Sequence, residues 1–127
     1  MTTKTAMDLV KEAKQEIENL TTVQVKEELD KGNVTLIDLR ESEELKQTGK
    51  IPDSFNVPRG VMEFYADPTH PYYKSEFNKN KRIILYCASG SRSALAAATL
   101  KQMGYDNVAH LDCGYNVWKE AGMVVTE

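Results

Sequence analysis

The chain predicts an α/β domain, a mostly parallel sheet covered by helices on both faces. Two observations predict it. β-rich runs at 34–40, 82–86 and 107–111 alternate with helical stretches at the spacing of strand–helix–strand units. A length of 127 residues suits one domain with a real hydrophobic core and no need for disulfide staples. In such sheets ligands bind beyond the carboxyl ends of the strands. Asp38, Cys87 and Cys113 are expected to emerge at that edge.

Residues 1–20 form the first element. Ala6, Val10, Ala13, Ile17 and Leu20 recur at alternating spacings of four and three with Lys and Glu between them, which predicts an amphipathic helix. Its stripe is expected to pack on the domain formed by residues 21–127, a second subunit being the alternative. A second helix covers 22–29, where Thr21 and Gln24 have the form of a capping box and Gly32 follows the end. The run 34–40 is a buried strand that delivers Asp38 and Arg40 at its end. A short helix follows at 41–47 and stops at Thr48-Gly49. The prolines Pro52 and Pro58 limit the next piece to a brief strand. Residues 59–65 give a helical turn or two, and 67–73 an irregular loop with His70 and two tyrosines.

The organising stretch comes next. A strand at 82–86 runs into Cys87-Ala88-Ser89-Gly90-Ser91-Arg92-Ser93 and then a helix that ends at Met103-Gly104. Small side chains let consecutive backbone N–H groups curl inward, and Gly90 can adopt a positive φ at little cost. The product is an anion cradle with Cys87 at its floor. Its N–H groups, the positive end of the helix and the Arg92 guanidinium all favour a thiolate. A buried, inert cysteine at a strand end is the alternative. Arg92 in a first helical turn is electrostatically unfavourable, so it calls for an anion, whether substrate, thiolate or a nearby carboxylate; a solvent-exposed Arg92 with no partner is the alternative. After this come a strand at 107–111, a turn at Asp112-Cys113-Gly114, and a helix over 115–121 that carries Trp118 and stops at Gly122.

Composition excludes several classes. Sixteen Lys and Arg against nineteen Asp and Glu give a net charge of -3, and the lysines are interleaved with glutamates, which argues against nucleic-acid binding. No apolar run is long enough to span a bilayer, and the first residues lack an apolar signal core, so the default is cytoplasmic. Two cysteines in such a chain are expected as free thiols.

Five motifs in order resemble a single-domain rhodanese: Ile37-Asp38-Leu39-Arg40-Glu41, the segment from Gly49 to Pro58, Leu85-Tyr86-Cys87 with the loop through Arg92-Ser93, the segment from Leu100 to Tyr105, and the segment from Leu111 to Gly122. The resemblance covers about residues 21–123. It implies a rhodanese-like fold with about five strands and a six-residue active-site loop, Cys87, Ala88, Ser89, Gly90, Ser91 and Arg92, in which Cys87 carries sulfane sulfur as a persulfide. It implies a ping-pong sulfurtransferase that takes sulfur from thiosulfate or a related donor to a thiol or cyanide. A persulfide carrier or regulatory binding module is the alternative. Partners would be a small sulfur donor, a thiol acceptor and a persulfide-bearing protein; no cofactor or metal is implied. Related phosphatases and arsenate reductases place five residues between cysteine and arginine, whereas four intervene here, which favours sulfur over phosphate. Arg92 would steady an anionic donor, with Ser89 and Arg59 as weaker candidates. Ser93, the last residue of that run, is a further supporting candidate. Asp38 would orient the loop or pair with Arg92 rather than carry protons.

Three features depart from the family pattern. Lys50 replaces a histidine, with the expected effect limited to a surface contact. Cys113 stands where a glycine is usual, either filling that site or joining Cys87 in a sulfur relay or disulfide. The insertion at 59–73, with Pro58-Arg59-Gly60 and Glu63, either borders the mouth of the site or is structural.

Overall fold

The computed structural model describes residues 3–127, and the first two residues of the expected N-terminal helix lie outside the described residues. Five strands form one sheet: β1 (Glu18–Leu20), β2 (Val34–Asp38), β3 (Phe55–Asn56), β4 (Arg82–Tyr86) and β5 (Val108–Leu111). Their order is β1-β5-β4-β2-β3, and every neighbouring pair is parallel. Six helices accompany them: α1 (Ala6–Glu16), α2 (Thr22–Lys31), α3 (Ser42–Thr48), α4 (Met62–Ala66), α5 (Ser91–Gln102) and α6 (Gly114–Glu120).

Strand alternation divides the core into two layers. Ile37, Leu39, Ile83 and Leu85 point to one face and pack with Val10 and Ala13 of α1, Met62 of α4 and Ala94, Ala97 and Leu100 of α5. Leu36, Ile84, Tyr86 and Leu111 point to the other, against Val25 of α2 and Tyr115 and Trp118 of α6. The alanines of α5 let its backbone sit close to the sheet, which fixes where the loop before it can lie. α2 starts with the reciprocal Thr21–Gln24 cap and closes on Gly32 at φ 82°.

One expectation is corrected at the N-terminus. The helical stripe does not run through Leu20: α1 stops at Glu16, and Glu18–Leu20 becomes the edge strand β1 beside β5. Asn19 ends the helix, because its Nδ2 donates to the open carbonyls of Lys14 (2.9 Å) and Ile17 (3.2 Å). Val10, Ala13 and Ile17 therefore bury on one face of the sheet and Leu20 on the other. The helical spacing across that break is coincidence. Lys50 is also more than a surface residue. Its backbone pairs with Thr126 in both directions at 2.8 Å, and its ammonium donates to the Ser54 carbonyl at 3.1 Å.

Candidate active site

Cys87 follows β4 directly and lies at the floor of a tight loop that becomes α5 at Ser91. Gly90 is the residue before the helix, with φ 95°, and a Cβ there would overlap the Asp112 carbonyl oxygen, so only glycine fits. That turn aims backbone donors at the sulfur: the Gly90 N–H donates to Cys87 Sγ at 3.2 Å and the Ser93 N–H at 3.4 Å. Cys87 is fully buried, yet the amides face it. The opposite wall is α6. Tyr115 N–H donates to the Cys87 carbonyl (2.8 Å) and Asn116 N–H to that of Ala88 (3.1 Å). Gly114, at φ 80°, meets the Ala88 carbonyl so closely that a side chain would overlap it, which makes it the glycine this contact requires.

The remaining loop residues are distributed unevenly. Ser89 is exposed at the loop's tip, and Ala88 and Ser91 are half-buried. Arg92 lies in the first turn of α5, and its anion is a carboxylate. Nη1 and Nη2 each donate to Glu44 of α3 at 2.9 Å, a two-pronged ion pair with both side chains about one-third exposed, 37% and 34%. The Arg92 guanidinium hydrogen-bonded to Glu44 holds its carboxyl down to about 2, and Glu44 in turn raises the Arg92 guanidinium.

Two supporting residues are corrected. Asp38 neither pairs with Arg92 nor reaches the loop. It is buried and held by Arg40, whose Nε and Nη2 donate to its carboxylate at 2.8–3.2 Å. Arg40 also donates to Thr48 and to the Gly49 carbonyl, and its guanidinium lies 4.0 Å over the Tyr115 ring. The pair ties β2, α3 and α6 together behind the site. Arg59 faces another way: Nη1 donates to Glu63 at 2.8 Å and Nη2 lies 3.5 Å from Thr99, seven residues beyond Arg92 and so about 10 Å further along α5. The 59–73 insertion thus packs by Arg59 against the flank of α5. Cys87 and Cys113 are unbonded; Cys113 is exposed before α6.

Sequence reasoning missed Glu44 and His110. The one local mark on Glu44 is its place three residues after Glu41, whose N–H its carboxylate accepts at 2.8 Å. The sequence pattern marks His110 only as a strand residue. It is fully buried, with Nδ1 2.8 Å from Ser93 Oγ and Nε2 2.7 Å from Asn19 Oδ1. A lone polar residue between Ala109 and Leu111 was its only mark.

Among the described residues no cluster of metal-ligating side chains occurs and no helix is long and apolar enough to cross a membrane. The Rhodanese-like domain family model matches residues 21–121. A sulfurtransferase from Allochromatium vinosum is 34% identical over 96 residues, 76% of this chain and 81% of its own. A Bacillus subtilis protein whose name proposes a sulfur-carrier role is 33% identical over 86 residues, 68% of this chain and 42% of its own. Among solved structures, a Rhodopseudomonas palustris protein of unknown function, described as a possible tyrosine phosphatase, superposes with a TM-score of 0.92 at 38% identity, over 99% of this chain and 97% of that one. The family match, the curated relatives and the parallel five-stranded sheet agree: the chain belongs to the rhodanese-like domain family, and its relatives point to sulfur transfer.

Proposed function

We propose that the chain is a sulfurtransferase that carries sulfane sulfur on Cys87 as a persulfide, with thiosulfate as the leading donor. The Cys87 thiolate attacks the outer sulfur of thiosulfate. An S–S bond forms to Cys87, the donor's own S–S bond breaks, and sulfite leaves with the electron pair. The acceptor's sulfur or cyanide carbon then takes the outer sulfur and the bonding pair returns to Cys87. The observation that carries this reading is the convergence of the Gly90 and Ser93 N–H groups on one sulfur, a preformed stabiliser of negative charge of the oxyanion-hole kind. The four residues between Cys87 and Arg92 make a narrow cradle, which favours a single sulfur atom over a tetrahedral phosphate.

One observation favours a second reading, in which a persulfide-bearing protein supplies the sulfur. Arg92, the cation expected to bind an anionic donor, is already engaged by Glu44. Thiosulfate must compete with that carboxylate, whereas a donor without a sulfonate need not. Two free thiols suit a reducing, cytoplasmic setting for either reading.

The test is intact-mass measurement of Cys113→Ser protein after thiosulfate, and separately after a persulfide-loaded protein. One added sulfur, absent in Cys87→Ser and discharged by cyanide as thiocyanate, is the expected result. Loading by the protein donor alone selects the carrier reading. A folded chain that gains no sulfur from either donor overturns the proposal.

A further inference from the structure

Behind the sulfur runs an unbroken line of side chains that the transfer reaction as written does not use. Cys87 Sγ lies 3.6 Å from Ser93 Oγ, Ser93 Oγ lies 2.8 Å from His110 Nδ1, and His110 Nε2 lies 2.7 Å from Asn19 Oδ1. Cys87, Ser93 and His110 are all fully buried.

The far end sets the direction of every hydrogen bond. Asn19 is oriented by its amide nitrogen, which donates to the Lys14 and Ile17 carbonyls. Its oxygen therefore faces His110 and can only accept, so Nε2 carries a hydrogen. In the neutral ring Nδ1 is then a bare acceptor, and the Ser93 hydroxyl donates to it in preference to the Gly90 carbonyl at 3.3 Å. With its one proton committed, Ser93 Oγ presents a lone pair to the sulfur and accepts the Cys87 S–H. A thiolate in that arrangement would face a lone pair. Reversing both inner bonds removes the conflict. With a proton on Nδ1, His110 donates to Ser93, Ser93 donates to the thiolate, and Nε2 still donates to Asn19.

Resting on the reading of Cys87 as the sulfur-bearing nucleophile, we propose that Ser93 and His110 are positioning residues forming an internal proton relay, which turns the buried thiol into a thiolate without releasing a proton to water. The Cys87 S–H bond breaks as an O–H bond forms on Ser93, while the original Ser93 O–H breaks and an N–H forms on Nδ1. One proton moves from sulfur to nitrogen and no electrons are exchanged. The product is a thiolate–imidazolium pair bridged by one hydroxyl, and the proton returns when the thiol reforms.

The surroundings fit this role. The charged groups facing the ring are Asp112, whose Oδ1 is 3.5 Å from Nε2, and Lys14 of α1, 2.9 Å from that same oxygen. Asn19 from β1, Ser93 from α5 and Leu85 from β4 bring no charge. Burial pushes His110 down to about 4, so bulk water does not protonate it at neutral pH; the same burial opposes the imidazolium, which forms only with the thiolate as its partner two hydrogen bonds away. Asp112 offsets part of that once an imidazolium forms.

The test uses the ultraviolet absorbance of the Cys87 thiolate in Cys113→Ser protein between pH 5 and 8, with no sulfur donor present. The relay predicts a thiolate signal that is nearly constant across that range, because internal transfer conserves protons. In Ser93→Ala and His110→Gln the signal should instead rise about tenfold per unit below its midpoint and fall at least fivefold below the parent at pH 6. ¹⁵N-histidine spectra of the unsubstituted chain give a second readout that needs no variant. His110 should show partial imidazolium at pH 7 that vanishes in Cys87→Ser. A parent signal that tracks pH like the variants, or a wholly neutral His110 at pH 7, overturns the relay. Neither result depends on whether thiosulfate loads the protein, so failure here and failure of the sulfurtransferase reading are separable.

Discussion

Replacing Glu44 by Gln should make thiosulfate a better donor. Gln keeps an oxygen for the Glu41 N–H, so the cap at the start of α3 survives, but Arg92 loses its counter-charge. A carboxyl held near 2 instead of 4.5 would by itself correspond to about 3 kcal/mol. One-third of each side chain faces water, and screening brings such pairs to about 1 kcal/mol. If a dianionic donor must displace Glu44 to reach Arg92, removing that competition is worth about 1 kcal/mol, or about fivefold in affinity. The assay is thiocyanate formation at varied thiosulfate and fixed cyanide, with a protein persulfide donor as control. The expected outcome is a KM for thiosulfate two- to fivefold lower, kcat within twofold, and unchanged loading from the protein donor. An unchanged or higher KM would refute the competition, and a tenfold fall in kcat would show that the ion pair holds the loop in shape.

Three further outcomes follow from the same geometry. Gly114→Ala introduces a side chain at φ 80° against the Ala88 carbonyl and should cost about 2 kcal/mol or more, lowering the thermal midpoint by about 6–10 °C, whereas Cys113→Gly beside it should shift it little. Arg40→Met strands the buried Asp38 carboxylate and should cost about 3–5 kcal/mol in urea unfolding, far more than loss of an exposed pair such as Lys46–Glu43. Burial lowers the His110 pKa to about 4 from 6.5, so near pH 5–6 the folded chain takes up no proton from solvent there while the unfolded chain does, and stability is lost as pH falls from 6.5 towards 4. Between pH 7 and pH 5, above the range where Glu44 titrates, this amounts to about 2 kcal/mol. Urea titrations at the two pH values should show that loss in the parent and not in His110→Gln.

The sheet, its helices and the loop were legible because each rests on local pattern: an apolar run at 82–86, small residues from Ala88 to Ser91, reciprocal caps at Thr21. The site's electrostatics were not legible, and the reason is distance along the chain. Glu44 reaches Arg92 across 48 positions and Asn19 reaches His110 across 91, so nothing in the spacing marks either pair. Asp38 misled for the opposite reason. It stands at a strand end where ligands bind, but Arg40 two residues later claims it before any loop residue can. The overlooked edge strand has the same origin, because Asn19 stops α1 through contacts that periodicity does not encode.

Asn19 thereby joins two levels of the structure. The amide that ends α1 and frees residues 18–20 to pair with β5 also presents the oxygen that sets the His110 tautomer. That tautomer orients the Ser93 hydroxyl against Cys87. Had α1 continued through Leu20, as its spacing suggests, Nε2 would have lost its 2.7 Å acceptor and kept only Asp112 Oδ1 at 3.5 Å. The break in the helix is therefore a condition for an ordered hydrogen-bond chain at the sulfur. Asn19→Asp provides the matching check: it keeps an oxygen beside Nε2 and adds charge there, while removing the two bonds to the Lys14 and Ile17 carbonyls. It should raise the fraction of imidazolium in ¹⁵N-histidine spectra at pH 7, and an unchanged fraction would show that Asn19 serves the helix end alone.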